Sequence, residues 1–358
     1  MKRLIQFELR KIFSKRLTQL ALIAVLLLSA LLAFTTFQNK YAFDGISGEG
    51  TGREAVEIDK AIAARYAGIL TDETVQQMIA EIVPKSGEGG QNAIYMYRNT
   101  MQSAVASRFS DAAGNWNGLH VSDVFGEEEI KIGYVDGWLS TSQNMTKIIV
   151  FLMLVLMVMI APVFCGEYSG VDNIILSSKY GQTKCATAKV IASVLSALLV
   201  TAIVSAFNLL FAIFLYGNSG LDCSILFGPM GFIEGYIPFN ITCGTLLTYQ
   251  ILLAFTCAIS VTGITLVLSA VCKNQMVALV GSAACNLVPA LLPVAETSPM
   301  FRYIGLLPMY HAQFTALMSV EQMSSGLLYA IWAIPVAVIF FAIGMVLSRK
   351  AFAKHQVS

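Results

Sequence analysis

VIASVLSALLVTAIVSAFNLLFAIFLYGNSGL, residues 190–221, contains no Asp, Glu, Lys or Arg. A bilayer core about 30 Å thick is crossed by roughly 20 apolar residues of helix, and this run exceeds that length. Five further stretches share the property: 17–39, 148–166, 235–272, 274–295 and 322–348. With 56% hydrophobic and 13% charged residues, the chain is too apolar for a water-soluble protein of its size. The runs predict an all-α polytopic membrane protein with six transmembrane helices, near 17–37, 148–165, 190–216, 246–271, 277–295 and 327–348.

Sorting the charges gives sidedness. With the N-terminus inside, the inner segments hold 13 of the 23 Lys and Arg but only three acids, Glu8, Glu167 and Asp172. The outer segments hold ten bases and 19 acids, so the inside carries about +10 and the outside about −9. Orientation responds to Lys and Arg clustered beside spans, which predicts both termini in the cytoplasm. The competing signal-peptide reading is weaker. The charged start is long, the apolar stretch exceeds the usual 7–15 residues, and no small-x-small cleavage site follows at Phe34–Gln38.

Residues 1–16, MKRLIQFELRKIFSKR, read as an amphipathic helix on the inner leaflet, with Leu4, Phe7, Ile12 and Phe13 on one broad face and six cations on the rest. Ordinary flanking charges of the first span explain the same cations. Residues 38–147 are long enough for an extracellular domain. It reads as mainly helical, with helical patterns over 53–70, 71–83 and 92–109, and Gly and Pro clusters at 45–52, 84–90 and 114–118. The acids Glu127–Glu129 read as a solvated face. Residues 148–348 form a five-span region with a cytoplasmic loop at 166–189, and 349–358 a short cytoplasmic tail. The apolar loops 217–245 and 296–326 fit short helices that dip back into the membrane with their backbone buried by protein.

Much of the catalytic repertoire has no representative. H-E-x-x-H, G-x-S-x-G and G-x-x-x-x-G-K-[ST] are all missing, and no metal-ligand pattern stands among His120, His311 and His355. Ionisable groups are missing from mid-span, where ion-coupled carriers place them. Asn208, Gln250 and Asn286 read more simply as helix-to-helix hydrogen-bonding groups. The chain therefore reads as neither an enzyme nor a self-powered pump, binds no cofactor of its own, and shows nothing that calls for nucleic acid. Among seven cysteines, Cys223 and Cys243 share one outer loop and are candidates for a disulfide.

The most specific local pattern is FCGEYSGVDNIILSSKYGQTKCATAK, residues 164–189. Ser169 followed by Asp172, then Ile174, Ile175 and Leu176, has the form of a helix-starting capping box. Lys179 suits the far end of such a helix, and Gly181 is placed to end it in a left-handed turn. Three adjacent bulky apolar residues cover more than one helix face, so part of that surface seeks lipid or a protein.

This loop resembles that of the membrane subunits of type-2 ABC exporters, through Phe164, Glu167, Leu176, Ser177 and Lys189, with Gly170 shifted by one position and Lys184 where Arg is frequent. The basic amphipathic start, six spans and short inner loops extend the likeness over most of the chain. Long outer inserts after the first span occur in part of this family, among bacterial peptide and antibiotic exporters in particular. The resemblance implies a permease in a bacterial cytoplasmic membrane, paired with a second copy or a close paralogue. Each permease would dock a separate ATP-binding subunit that carries ATP and Mg. Glu167, Gly170, Val171, Asp172, Ile174, Ile175, Leu176, Ser177 and Lys184 would form the ATPase-coupling segment. The first residues, with Phe7, Glu8, Ile12 and Phe13, would form the elbow helix. The alternative is a membrane sensor whose outer domain binds a peptide without transport.

Overall fold

The computed structural model describes residues 1–46, 48–85, 97–168, 181–228, 240–292, 298–312 and 329–354. In chain order, helix α1 (Lys2–Phe13) precedes α2 (Arg16–Gln38). An antiparallel pair follows, β1 (Tyr41–Phe43) and β2 (Glu49–Thr51), then α3 (Arg53–Arg65), β3 (Gly68–Ile69), α4 (Asp72–Glu81), α5 (Thr100–Phe109), α6 (Val121–Phe125) and β4 (Lys131–Ile132). The long helix α7 (Asp136–Ile160) leads to the short α8 (Pro162–Cys165). A π-helical turn, Gly181–Cys185, then runs into α9 (Ala186–Tyr216). The chain continues through α10 (Cys243–Val271), α11 (Gln275–Ala290), α12 (Phe301–Ile304) and α13 (Tyr329–Ala353).

Among the described residues, five helices are long and apolar enough to cross a membrane, the stretches 16–38, 136–165, 183–216, 243–271 and 332–353. The expected fifth of six spans is instead a 16-residue helix, α11. At 1.5 Å per residue that is about 24 Å, short of a bilayer core. Pro289 near its end has no N–H for the Cys285 carbonyl, and the last helical bond runs from the Leu291 N–H to the Leu287 carbonyl. The second long helix begins at Asp136, well before residue 148. Gly181, expected to end the loop helix, opens the π-helical turn instead.

Contacts divide the chain into two compact units. One comprises Met1–Ser29, Met145–Phe207 and Gln250–Ser358. In it α7 is enclosed on several faces, its own Ile148, Leu152, Met153, Leu156 and Met157 being nearly inaccessible. Glycine lets α10 and α13 meet backbone to backbone: a Cβ on Gly344 would lie 2.6 Å from the Gly263 Cα, and one on Gly263 would lie 2.9 Å from the Phe340 carbonyl oxygen. Close approach through small residues is a common way for helices to associate where lipid replaces water. Leu17, Leu20, Ile23 and Leu27 of α2 are exposed, as a helix solvated by acyl chains requires.

The other unit comprises Ala30–Asn144 and Asn208–Tyr249. In its insert α3, α4 and α5 fall within the expected helical stretches, but α3 stops at Arg65 where helix was expected to Leu70, α5 starts only at Thr100, and 92–96 lie outside the described residues. Two short ladders, β1–β2 and β3–β4, are additional. Caps set the helix starts: the Thr71 hydroxyl accepts from the Thr74 N–H, and the Asn99 side-chain oxygen Oδ1 from the Gln102 N–H. Asp59, 2% exposed, accepts from both the N–H and the hydroxyl of Thr100 in the first turn of α5. Glu127–Glu129 are exposed, as expected.

Candidate functional site

The segment after α7 is fixed by a break in the helix. Pro162 opens α8 without an N–H to give, and the Phe164 N–H finds the Ser269 hydroxyl of α10 at 2.9 Å instead. The Phe164 ring packs 5.0 Å from that of Phe352 at the end of α13. Tyr168 stacks on the same Phe352 and donates its hydroxyl to the Ala270 carbonyl at 2.7 Å. Residues 162–168 are thereby clamped to the ends of two long helices.

Within that clamp lies a four-charge cluster. The Lys189 ammonium, in the first turn of α9, is fully buried. It donates to Glu167 Oε1 at 2.7 Å, to Glu8 Oε2 at 3.2 Å and to the Val163 carbonyl at 3.2 Å. An ammonium has three N–H donors, and all three are used. Lys11 of α1 pairs with the same Glu167 oxygen. Two cations and two carboxylates cancel, which is the condition for keeping charge out of water. The burial and the neighbouring Lys11 and Lys189 charges hold the Lys15 ammonium below its ordinary pKa, outweighing the opposing pull of Glu167.

The cluster brings together α1, the segment ending at Tyr168, and the start of α9. Both ends of the stretch 169–180 are thus tied to one charged knot. Of the coupling residues expected from sequence, Glu167 is at the centre of the knot and Lys184 lies in the π-helical turn. Gly170, Val171, Asp172, Ile174, Ile175, Leu176 and Ser177 lie outside the described residues. On α1 the expected apolar face is only partly used. Ile12 is buried and Phe13 half-buried, Phe7 is 63% exposed, and Glu8 rather than an apolar residue turns inward. Lys189 enters the sequence reading only as a motif position, and its pairing with Glu8 and Glu167 is not readable there. The available signal is that Glu8 is the single acid among six cations in residues 1–16.

Cys223 and Cys243 are neighbours, with the Cys243 N–H donating to the Cys223 carbonyl at 3.0 Å beside the Ser224–Thr242 bridge. Both are buried and carried as free thiols. No family model, no curated protein and no solved structure matches this chain.

Proposed function

We propose that this chain is the permease subunit of an ATP-driven exporter in a bacterial cytoplasmic membrane, both termini inside, working as one of two permease copies. ATP hydrolysis is supplied by a separate subunit seated against residues 169–180, and the cargo is a peptide or another amphipathic molecule. The observation that supports this most is the buried knot of Glu8, Lys11, Glu167 and Lys189. A push on the stretch 169–180 has two rigid outlets, through Glu167 into the clamped end of α7–α8 and through Lys189 into α9. Glu8 and Lys11 join α1, the elbow in this reading, to the same point. A π-helical turn at Gly181–Cys185 is a further mark, since such turns concentrate at functional sites.

The test is copurification followed by ATPase assay. The tagged full chain, expressed from its native host, should carry an ATP-hydrolysing subunit with it. Ile174→Asp, Ile175→Asp and Leu176→Asp should each abolish stimulation of that ATPase while the chain still inserts. An assembly that contains no hydrolase, or one whose stimulation survives all three substitutions, removes the proposal.

A further inference from the structure

The unit formed by Ala30–Asn144 and Asn208–Tyr249 contains a cavity of about 400 Å³. Helix α3 supplies one wall through Lys60, Ala63 and Ala64, the positions i, i+3 and i+4 of one face, and Ala67, two residues past its end, extends that wall. The three alanines along this wall leave open the space that longer side chains would fill. Opposite stand Ile132, Gly133 and Tyr134, and the turn around Ser219 and Gly220 closes the third side. That turn approaches closely because its glycines allow it. Gly217 and Gly220 have φ of +72° and +85°, a Cβ on Gly220 would run into the Tyr134 carbonyl, and one on Gly217 would lie 3.0 Å from the Lys60 ammonium.

The charges of this cavity do not cancel. Lys131 and Asp222 pair with each other, both more than half exposed. Lys60 has no carboxylate in ion-pair range among the described residues, and its ammonium faces the Tyr134 ring at 5.5 Å from the centroid. Burial lowers its pKa, and Glu57 one turn earlier only partly offsets this. A half-buried cation without a counter-ion beside small apolar walls describes an incomplete set of partners. We infer that this cavity binds a carboxylate attached to a compact apolar group, with Lys60 pairing to the carboxylate and Ala63, Ala64 and Ala67 receiving the apolar part. Such a group occurs both on a free acid and at the C-terminus of a peptide. The inference does not depend on the chain being a permease.

The full chain in nanodiscs provides the test, with calorimetric titration of N-acetyl-leucine, N-acetyl-leucine amide, acetyl-Ala-Ala-Leu and its amide. Trp138 gives a second readout, since its indole N–H donates at 2.7 Å to the carbonyl of Ser219 in the cavity wall. Both carboxylates should bind and both amides should not. Tighter binding of the tripeptide would mark a peptide terminus as the source, and tighter binding of N-acetyl-leucine a free acid. Lys60→Gln should weaken carboxylate binding by about tenfold or more, the scale of one charge-assisted hydrogen bond, and Lys60→Arg should restore most of it. Ala64→Leu should block binding with every charge intact. Equal binding of acids and amides, unchanged affinity in Lys60→Gln, or no heat and no fluorescence change with any of the four probes would overturn the assignment.

Discussion

Lys189 and Glu8 are separated by 181 residues in sequence and by 3.2 Å in space. The ammonium is fully buried and Glu8 is 5% exposed, so each depends on the other to stay charged out of water. Removing one partner of a buried set costs about 3–5 kcal/mol, because the remaining charge is left uncompensated. Lys189→Met should therefore lower the unfolding temperature of the purified chain sharply, leaving Lys11 alone against two carboxylates. Adding Glu8→Met restores neutrality and keeps the Lys11–Glu167 pair. The double variant should recover a substantial part of the loss, and additive losses would show that the two residues are not coupled.

Asp59 gives a pH dependence of definite sign. Its two hydrogen bonds from Thr100 and the positive end of α5 favour the carboxylate, as does the charge of Lys40. Burial opposes them, reinforced by the Asp136 charge, and burial wins, pushing the pKa up from 3.8 to about 7. The folded state then holds a proton that the unfolded state has already released. Stability contributed by this group is greatest at low pH, falls as pH rises from about 4 to about 7, and is level above that. Asp59→Asn keeps an oxygen for both Thr100 donors and removes the charge. Thermal unfolding of the variant should be less sensitive to pH across that window, and the variant should be the more stable form at pH 8.

Asn99 links two elements of the same unit. Its side-chain oxygen accepts from the Gln102 N–H at 2.8 Å, and its amide donates to the Phe43 carbonyl of β1 at 3.1 Å. Asn99→Ala removes the cap and leaves that carbonyl without this donor. A loss of about 1–2 kcal/mol is expected, and Asn99→Asp, which keeps the cap but not the amide donor, should fall between. Denaturant or thermal unfolding of the three forms checks the order.

Much of the fold was legible because lipid imposes a simple demand. A run such as 190–221 without charge has few other uses, and α9 occupies most of it. Amphipathic spacing likewise marked α3, where Val56 and Ile62 point inward. The failures have physical causes. A charge-free run counts residues and not backbone geometry, so 274–295 reads as a full span although its helix covers only Gln275–Ala290. Asp136 looks like a loop residue until Lys40, 96 residues away, neutralises it at the start of α7. Strands β3 and β4 are two residues each and carry no readable alternation. In the charged knot, Glu167 was legible as a motif position, whereas its convergence with Glu8 and Lys189 is tertiary information that no local pattern contains.

The contact of α10 with α13 leads to the last prediction. A methyl group on Gly344 would sit 2.6 Å from the Gly263 carbonyl carbon and Cα. Those are backbone atoms, so no side-chain rotation relieves the clash and the two helices must separate. Overpacking of this kind costs about 1–3 kcal/mol, against the roughly 1 kcal/mol that replacing a helical glycine by alanine ordinarily gains. Gly281 of α11 is the internal control: a Cβ there would meet only the Leu268 side chain, at 3.7 Å, an ordinary contact. Gly344→Ala should therefore lower the unfolding temperature and Gly281→Ala should hold or raise it, although both exchange the same atoms in apolar helices. If Gly344→Ala were as stable as Gly281→Ala, the backbone contact between α10 and α13 would have to be abandoned.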